Sequence, residues 1–348
     1  MSKKLIWAHW LNLDYSTMPY RNSVKDVWGK FEFPVNRYDI DNFLLELDTA
    51  SIVKKPVFDL TNRVENYEDR LYSTIDQVAE KIFKQAGDKK IALLYSGGID
   101  SVCILAALQR NKKYKEFLDQ GKLFLAMTSS SITEYPWLFY NHILGKLPIT
   151  VLSYDKLMND PNILLVTGDG GDYISGSSDI NTLLNNNHQD LMNDYTELLT
   201  DSKKLQTYNE LCLQVKDNCP FEIKSVNQFI WWLSQCFAIQ TEVIWPYVWS
   251  SISDLSSLTN DSKVYRFFYD DAMLTFSYEY MSTNPEYHSY DQTKFWLKKY
   301  SVGHFGDADY FNKGKVFSQR RTLRLGYKSQ IYIEDNEIKF INTNEKIQ

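Results

Sequence analysis

Ile91-Ala92-Leu93-Leu94-Tyr95-Ser96-Gly97-Gly98-Ile99-Asp100-Ser101 is an unbroken apolar run that ends in a serine and two glycines and then meets an acid and a second hydroxyl. A short run of apolar residues with no polar alternation suits a strand buried on both faces, as in a parallel sheet. Gly97-Gly98 ends the run, and 102–108 reads as a helix. Working outward, the pattern repeats. Strands are predicted at 122–128, 149–153 and 163–167, with a helix around 135–144. Upstream, Leu71, Ile75, Val78, Ala79 and Ile82 fall at helical spacing and predict an amphipathic helix over 67–85. Strands alternating with helices predict an α/β fold, a parallel sheet flanked by helices. Such sheets bind ligands beyond the carboxyl ends of their strands, where both glycine-rich motifs of this chain fall.

The chain divides on this reading into residues 1–66, whose fold is unclear, an α/β core over 67–185, and a mostly helical part over 186–348 that completes the same unit. Within the last part 229–239 is dense in tryptophan and reads as core, Trp245-Pro246 interrupts it, and 330–333 with 337–341 form a candidate hairpin turned at Asp335-Asn336.

The first loop, Ser96-Gly97-Gly98-Ile99-Asp100-Ser101, has the parts of a phosphate site. Glycines let the backbone turn tightly and approach an anion without a Cβ in the way. The N–H groups of the loop and of the first helical turn point at that anion, favoured by the helix dipole. Ser96 and Ser101 can add hydroxyl donors. Asp100 would repel phosphate unless a cation lay between them, which implies Mg²⁺. The alternative is an ordinary Gly-Gly turn before a helix. A second loop follows another apolar run: Gly168-Asp169-Gly170-Gly171-Asp172-Tyr173-Ile174-Ser175-Gly176. Two acids on a glycine-rich turn can be brought beside a polyphosphate to hold metal or orient a basic catalyst. A calcium loop or a solvent-facing turn has a similar composition.

The first loop resembles the PP-loop of the N-type ATP pyrophosphatases, a family that includes asparagine, β-lactam, GMP and NAD synthetases and tRNA-modifying enzymes. The resemblance implies an adenine nucleotide alpha-hydrolase-like fold, ATP with Mg²⁺, and attack on the α-phosphate with release of pyrophosphate. Ser96, Gly97, Gly98, Asp100, Ser101 and Gly168 would then hold the nucleotide. The second loop resembles the acidic motif of asparagine synthetase-type domains. In that likeness Asp172, with Asp100, holds Mg-pyrophosphate, and Asp169 pairs with a catalytic lysine. The sequence departs from the motif at Tyr173, where the family has Glu, and at Ser177, where it has Tyr. Glu242 to Tyr247 resembles a further family segment without its arginine, and Tyr290 to Lys298 resembles another with Lys298 in place of Arg. The resemblance spans residues 70 to 325.

Lys294 is the candidate catalytic lysine, oriented by Asp169. Lys313 and Lys315, with Arg320 and Arg321, form a rival basic cluster that reads equally as a solvated face. Residue 2 is Ser, the first cysteine is Cys103, and the segment before the first loop is too short for a glutaminase. The nitrogen is therefore expected from free ammonia, a partner or an amine on the acceptor.

Bulk properties narrow the classes. The chain has 348 residues, a net charge of −6 and 44% hydrophobic residues, so a sizeable core is expected and nothing invites nucleic acid or an anionic membrane. Four cysteines without Cys-x-x-Cys spacing read as reduced thiols, and no run is long enough for a signal peptide or a membrane span, so the expected location is cytoplasmic. The expected function is an ATP-dependent, AMP-forming ligase that adenylates a small carboxylate and forms an amide. A PP-loop enzyme acting on a nucleobase or tRNA and a non-catalytic ATP-binding protein are the rivals. RNA dependence would isolate the former and lack of pyrophosphate release the latter.

Overall fold

The structure is a computed structural model that describes residues 66–176, 219–235, 263–284, 290–313, 328–334 and 337–343. Helix α1 (Tyr67–Ala86) leads into strand β1 (Lys90–Leu94) and then α2 (Ile99–Arg110). The short α3 (Tyr114–Asp119), strand β2 (Leu123–Met127) and α4 (Ser129–Glu134) follow. Strand β3 (Ile149–Val151), α5 (Tyr154–Asn159) and β4 (Ile163–Thr167) complete the first stretch. Downstream come α6 (Val226–Leu233), β5 (Val264–Arg266), α7 (Asp271–Thr283) and α8 (Tyr290–Phe305). An antiparallel pair, β6 (Lys328–Glu334) and β7 (Glu337–Thr343), is the hairpin expected over 330–341.

Strands β1 to β5 form one sheet, all parallel, in the order β3-β2-β1-β4-β5. The chain winds from β1 out to β3 and then returns to place β4 on the other side of β1. This makes the gap between β1 and β4 the topological switch point, where an open α/β sheet offers a crevice at its carboxyl edge. The α/β class expected from the sequence is the class observed.

Successive residues of each strand face opposite sides. Ile91, Leu93 and Tyr95 join the larger core with Leu164 and Val166, covered by α1, α2, α6, α7 and α8. Ala92, Leu94 and Leu165 face the smaller core, where Leu157 and Met158 of α5 pack. Helix α2 is buried along Ser101–Leu108 because α1 and α8 both lie against it. A helix enclosed this way is apolar all round. Asp76 of α1 ties the three helices together, accepting from Arg110 of α2 at 3.2 Å and from the Tyr300 hydroxyl of α8.

Two expectations gain detail. The helix expected over 135–144 is a single turn, Pro136–Leu138, running into a π-helical segment, Phe139–Ile143, and a separate helix, α4, precedes it. The break falls at Tyr135 (φ −142°, ψ 74°), because the residue before a proline is pushed out of the helical region. The part expected to be mostly helical also contributes β5 to the sheet. Its three residues are too few to show a period, and they are buried beside β4. Cys103 is buried and Cys219 half-buried, neither in a disulfide, while Cys212 and Cys236 lie outside the described residues. Among the described residues no helix is long and apolar enough to cross a membrane.

Candidate active site

The first loop leaves β1 at the switch point. Gly97 has φ +77°, and a Cβ there would meet the Ser131 carbonyl oxygen at 2.4 Å and the Glu134 side chain at 3.0 Å. Only glycine satisfies both conditions. Gly98 differs: at φ −73° it is the N-cap of α2 and contributes no side-chain cap. The loop's two hydroxyls are turned onto its own backbone. Ser96 N donates to Ser101 Oγ (3.2 Å), Gly98 N donates to Ser96 Oγ (3.2 Å), and Ser101 Oγ donates to the Gly98 carbonyl (3.0 Å). The two hydroxyls lie 3.1 Å apart. Ser96 and Ser101 thus brace the turn.

The second loop leaves β4, the neighbouring strand. Its glycines are explained by Asp100. A Cβ on Gly171 would come within 2.3 Å of Asp100 Oδ1, and one on Gly168 within 3.2 Å of Asp100 Cβ. Gly170 supplies the positive φ, +87°, that starts the 3₁₀ turn Gly171–Tyr173. The far end of the loop is tied down from the helical side. The Tyr173 carbonyl accepts from Trp231 Nε1 (2.9 Å), Gln235 Nε2 (3.0 Å) and Ser277 Oγ (3.1 Å), all buried. The indole nitrogen also reaches Ser277 Oγ at 3.2 Å. This anchor carries no motif and was not foreseen. Its only trace in the sequence is the tryptophan-rich stretch that read as core.

Lys294 joins the two loops. It lies on α8, where Lys294, Leu297, Lys298, Ser301 and Phe305 recur at helical spacing and are all buried. Only 1% of Lys294 is exposed, and its ammonium is bonded to Asp100 Oδ1 and lies 2.9 Å from Asp172 Oδ1. Burying an ammonium costs several kcal/mol unless it is paired. Two carboxylates from two loops supply that pairing. Asp169, the acid expected to orient Lys294, lies in the same turn, three residues before Asp172.

A second cluster flanks the first loop on the β2 side. Glu134, at the end of α4, is buried against Gly97. Lys313 Nζ sits 4.2 Å over the ring of Tyr135, whose hydroxyl donates to Asp307 at 2.6 Å and whose ring stacks on Tyr310 at 4.3 Å. Burial pushes the Lys313 ammonium pKa down, against the opposing pull of Glu134 and Asp307. Lys298 donates to the carbonyls of Phe311 and Lys313, both at 3.1 Å, and so fixes the turn that presents this rival lysine. Lys315, Arg320, Arg321 and the segment from Glu242 to Tyr247 lie outside the described residues.

Mg²⁺ typically takes one or two carboxylates plus phosphate oxygens and water. Asp100 and Asp172 fit that role on one observation: both reach a single cationic atom, Lys294 Nζ, so one divalent ion between them could touch both. Comparison of the chain with models of protein families, with curated proteins and with solved structures finds no match.

Proposed function

We propose that this protein is an ATP-dependent, AMP-forming ligase with an adenine nucleotide alpha-hydrolase-like fold, which adenylates a small carboxylate and forms an amide. The observation that carries the reading is Lys294 held between Asp100 and Asp172 where the loops after β1 and β4 meet. A catalyst for this chemistry needs a backbone turn for phosphate, carboxylates for a divalent ion and a buried cation that can follow charge as it develops. The turn and the carboxylates come from one pair of adjacent loops, and the buried cation comes from α8 to lie between them. The resemblance of Ser96 to Ser101 to a PP-loop points the same way.

In the proposed reaction a carboxylate oxygen of the acceptor attacks the α-phosphorus of ATP. The bond from that phosphorus to the α–β bridging oxygen breaks, and pyrophosphate leaves. An amine nitrogen then attacks the acyl carbon, the carbon–oxygen bond to AMP breaks, and the amine loses its proton to solvent. Bound Mg²⁺ would neutralise pyrophosphate charge beside Asp100 and Asp172. The first loop would grip the phosphates through its backbone N–H groups, with Ser96 and Ser101 re-aimed from the loop to the ligand. Lys294 would stabilise the charge on the α-phosphate and on the tetrahedral adduct.

The test is to incubate the full chain with ATP labelled in its α-phosphate, Mg²⁺, ammonium and a panel of small carboxylates. Acceptor-dependent AMP and pyrophosphate support the reading. ADP as the product, or turnover that requires RNA, contradicts it.

A further inference from the structure

We infer that Lys294 is the resident counter-ion of the two acidic loops, and that it is exchanged for a divalent cation only when nucleotide arrives with the metal. The inference rests on the proposed nucleotide site and concerns how that site is loaded. Asp100 and Asp172 come from different loops, yet both reach one atom. Without a cation between them the two carboxylates would repel at close range, and the ammonium removes that repulsion. A divalent ion held by the same two carboxylates would have to take its place. The two cations therefore compete for one position.

The stem of Lys294 makes the exchange feasible. Its helix is fixed by the buried Leu297, Ser301 and Phe305 on the same face, but the side chain has four rotatable bonds and can swing without moving α8. A displaced ammonium needs a new anion, because it is buried. Metal alone brings none, and Asp169, the other acid of that turn, is already engaged. Metal with ATP brings phosphate oxygens to the same place. Metal and nucleotide should therefore bind with strong positive coupling, and by linkage each raises the affinity for the other by the same factor. The lysine released from Asp100 and Asp172 is then already beside the phosphates.

The experiment is Mn²⁺ binding to the full chain by equilibrium dialysis, which counts only the excess metal on the protein side, with and without a non-hydrolysable ATP analogue on both sides. The native protein should bind Mn²⁺ weakly alone and at least about tenfold more tightly with the analogue. Lys294→Met and Lys294→Gln should bind Mn²⁺ alone at least about tenfold more tightly than the native protein, and adding Asp100→Asn should abolish that gain. The melting temperature provides a second reading: Lys294→Gln should melt lower than native in chelator and recover with Mn²⁺. Asp172→Asn, which keeps the lysine, should weaken Mn²⁺ binding in the presence of the analogue. If the native protein binds Mn²⁺ with the analogue but the lysine variants bind Mn²⁺ alone no better than native, the exchange is overturned and the ligase reading stands. Tight Mn²⁺ binding by the native protein without nucleotide overturns the exchange as well. If native protein with analogue and both lysine variants all fail to bind Mn²⁺, the nucleotide site itself is wrong.

Discussion

Nζ of Lys294 lies 2.9 Å from Oδ1 of Asp172, and the same ammonium is bonded to Asp100 on the neighbouring loop. Removing one acid leaves the lysine with the other. Asp100 and Asp172 are each about a quarter exposed at the side chain, so water softens the loss. Asp172→Asn should therefore cost about 1–2 kcal/mol in chemical denaturation, below the ~3–5 kcal/mol of a fully buried pair. Acceptor-dependent pyrophosphate release should fall at least about 100-fold, the scale of losing one electrostatic contact to a transition state. The same is expected of Asp100→Ala. Near-normal turnover in either variant would remove these acids from the site.

The two glycines of the first loop should separate folding from binding. Gly97→Ala combines a positive φ with a Cβ 2.4 Å from a backbone oxygen, so it should destabilise the protein by about 3 kcal/mol or more. At Gly98 the backbone is extended and the nearest obstacle is the movable Ser96 hydroxyl at 3.3 Å. Gly98→Ala should cost under about 1 kcal/mol in denaturation yet weaken ATP binding by about tenfold or more, because the new methyl sits where phosphate would approach. Equilibrium denaturation and nucleotide titration of both variants check this. A Gly98→Ala protein with native ATP affinity would put the phosphates elsewhere.

Trp231→Phe removes one of three donors to the Tyr173 carbonyl. A carbonyl has two lone pairs, and Gln235 and Ser277 remain, so no buried acceptor is orphaned. The cost should be about 1 kcal/mol, whereas Trp231→Phe combined with Ser277→Ala should cost more than the sum of the single changes. A double-mutant cycle by denaturation reads the coupling directly. Strict additivity would mean that the three donors do not act as one anchor.

His142 and His304 set an acid limit. Both imidazoles are pushed below their ordinary value of 6.5, first by burial and then by neighbouring cations: Lys146 for His142, and Arg110 and His142 for His304. The folded state therefore favours the neutral rings, and the unfolded chain binds more protons between the lowered values and 6.5. Stability should fall as pH drops from above 6.5 through the lowered values. The melting temperature should decline between about pH 8 and about pH 5, and His142→Gln with His304→Gln should flatten that decline. An unchanged slope in the double variant would assign the acid sensitivity to other groups.

The central strands were legible because β1 and β4 are buried on both faces, and such strands announce themselves as unbroken apolar runs. Three-residue β5 carries no period and is recognised only by its pairing with β4. The boundary at Tyr135 is written in Pro136, which pushes the residue before it out of the helical region. In the site, Asp100 and Asp172 stood out through the glycines around them, and the structure supplies the reason: Gly168 and Gly171 make room for Asp100. What sequence could not supply was partnership across distance. Nothing local to Lys294 says which acids it meets, and nothing local to Trp231 says that it holds the Tyr173 carbonyl.

Adenylation is tested by the exchange of radiolabelled pyrophosphate into ATP by the full chain with Mg²⁺ and no amine present. Reversible adenylation predicts exchange that appears only when a suitable carboxylate is added and that is lost in Lys294→Met. Exchange independent of any carboxylate, or carboxylate-dependent formation of ADP and phosphate in its place, would rule out adenylation of a carboxylate.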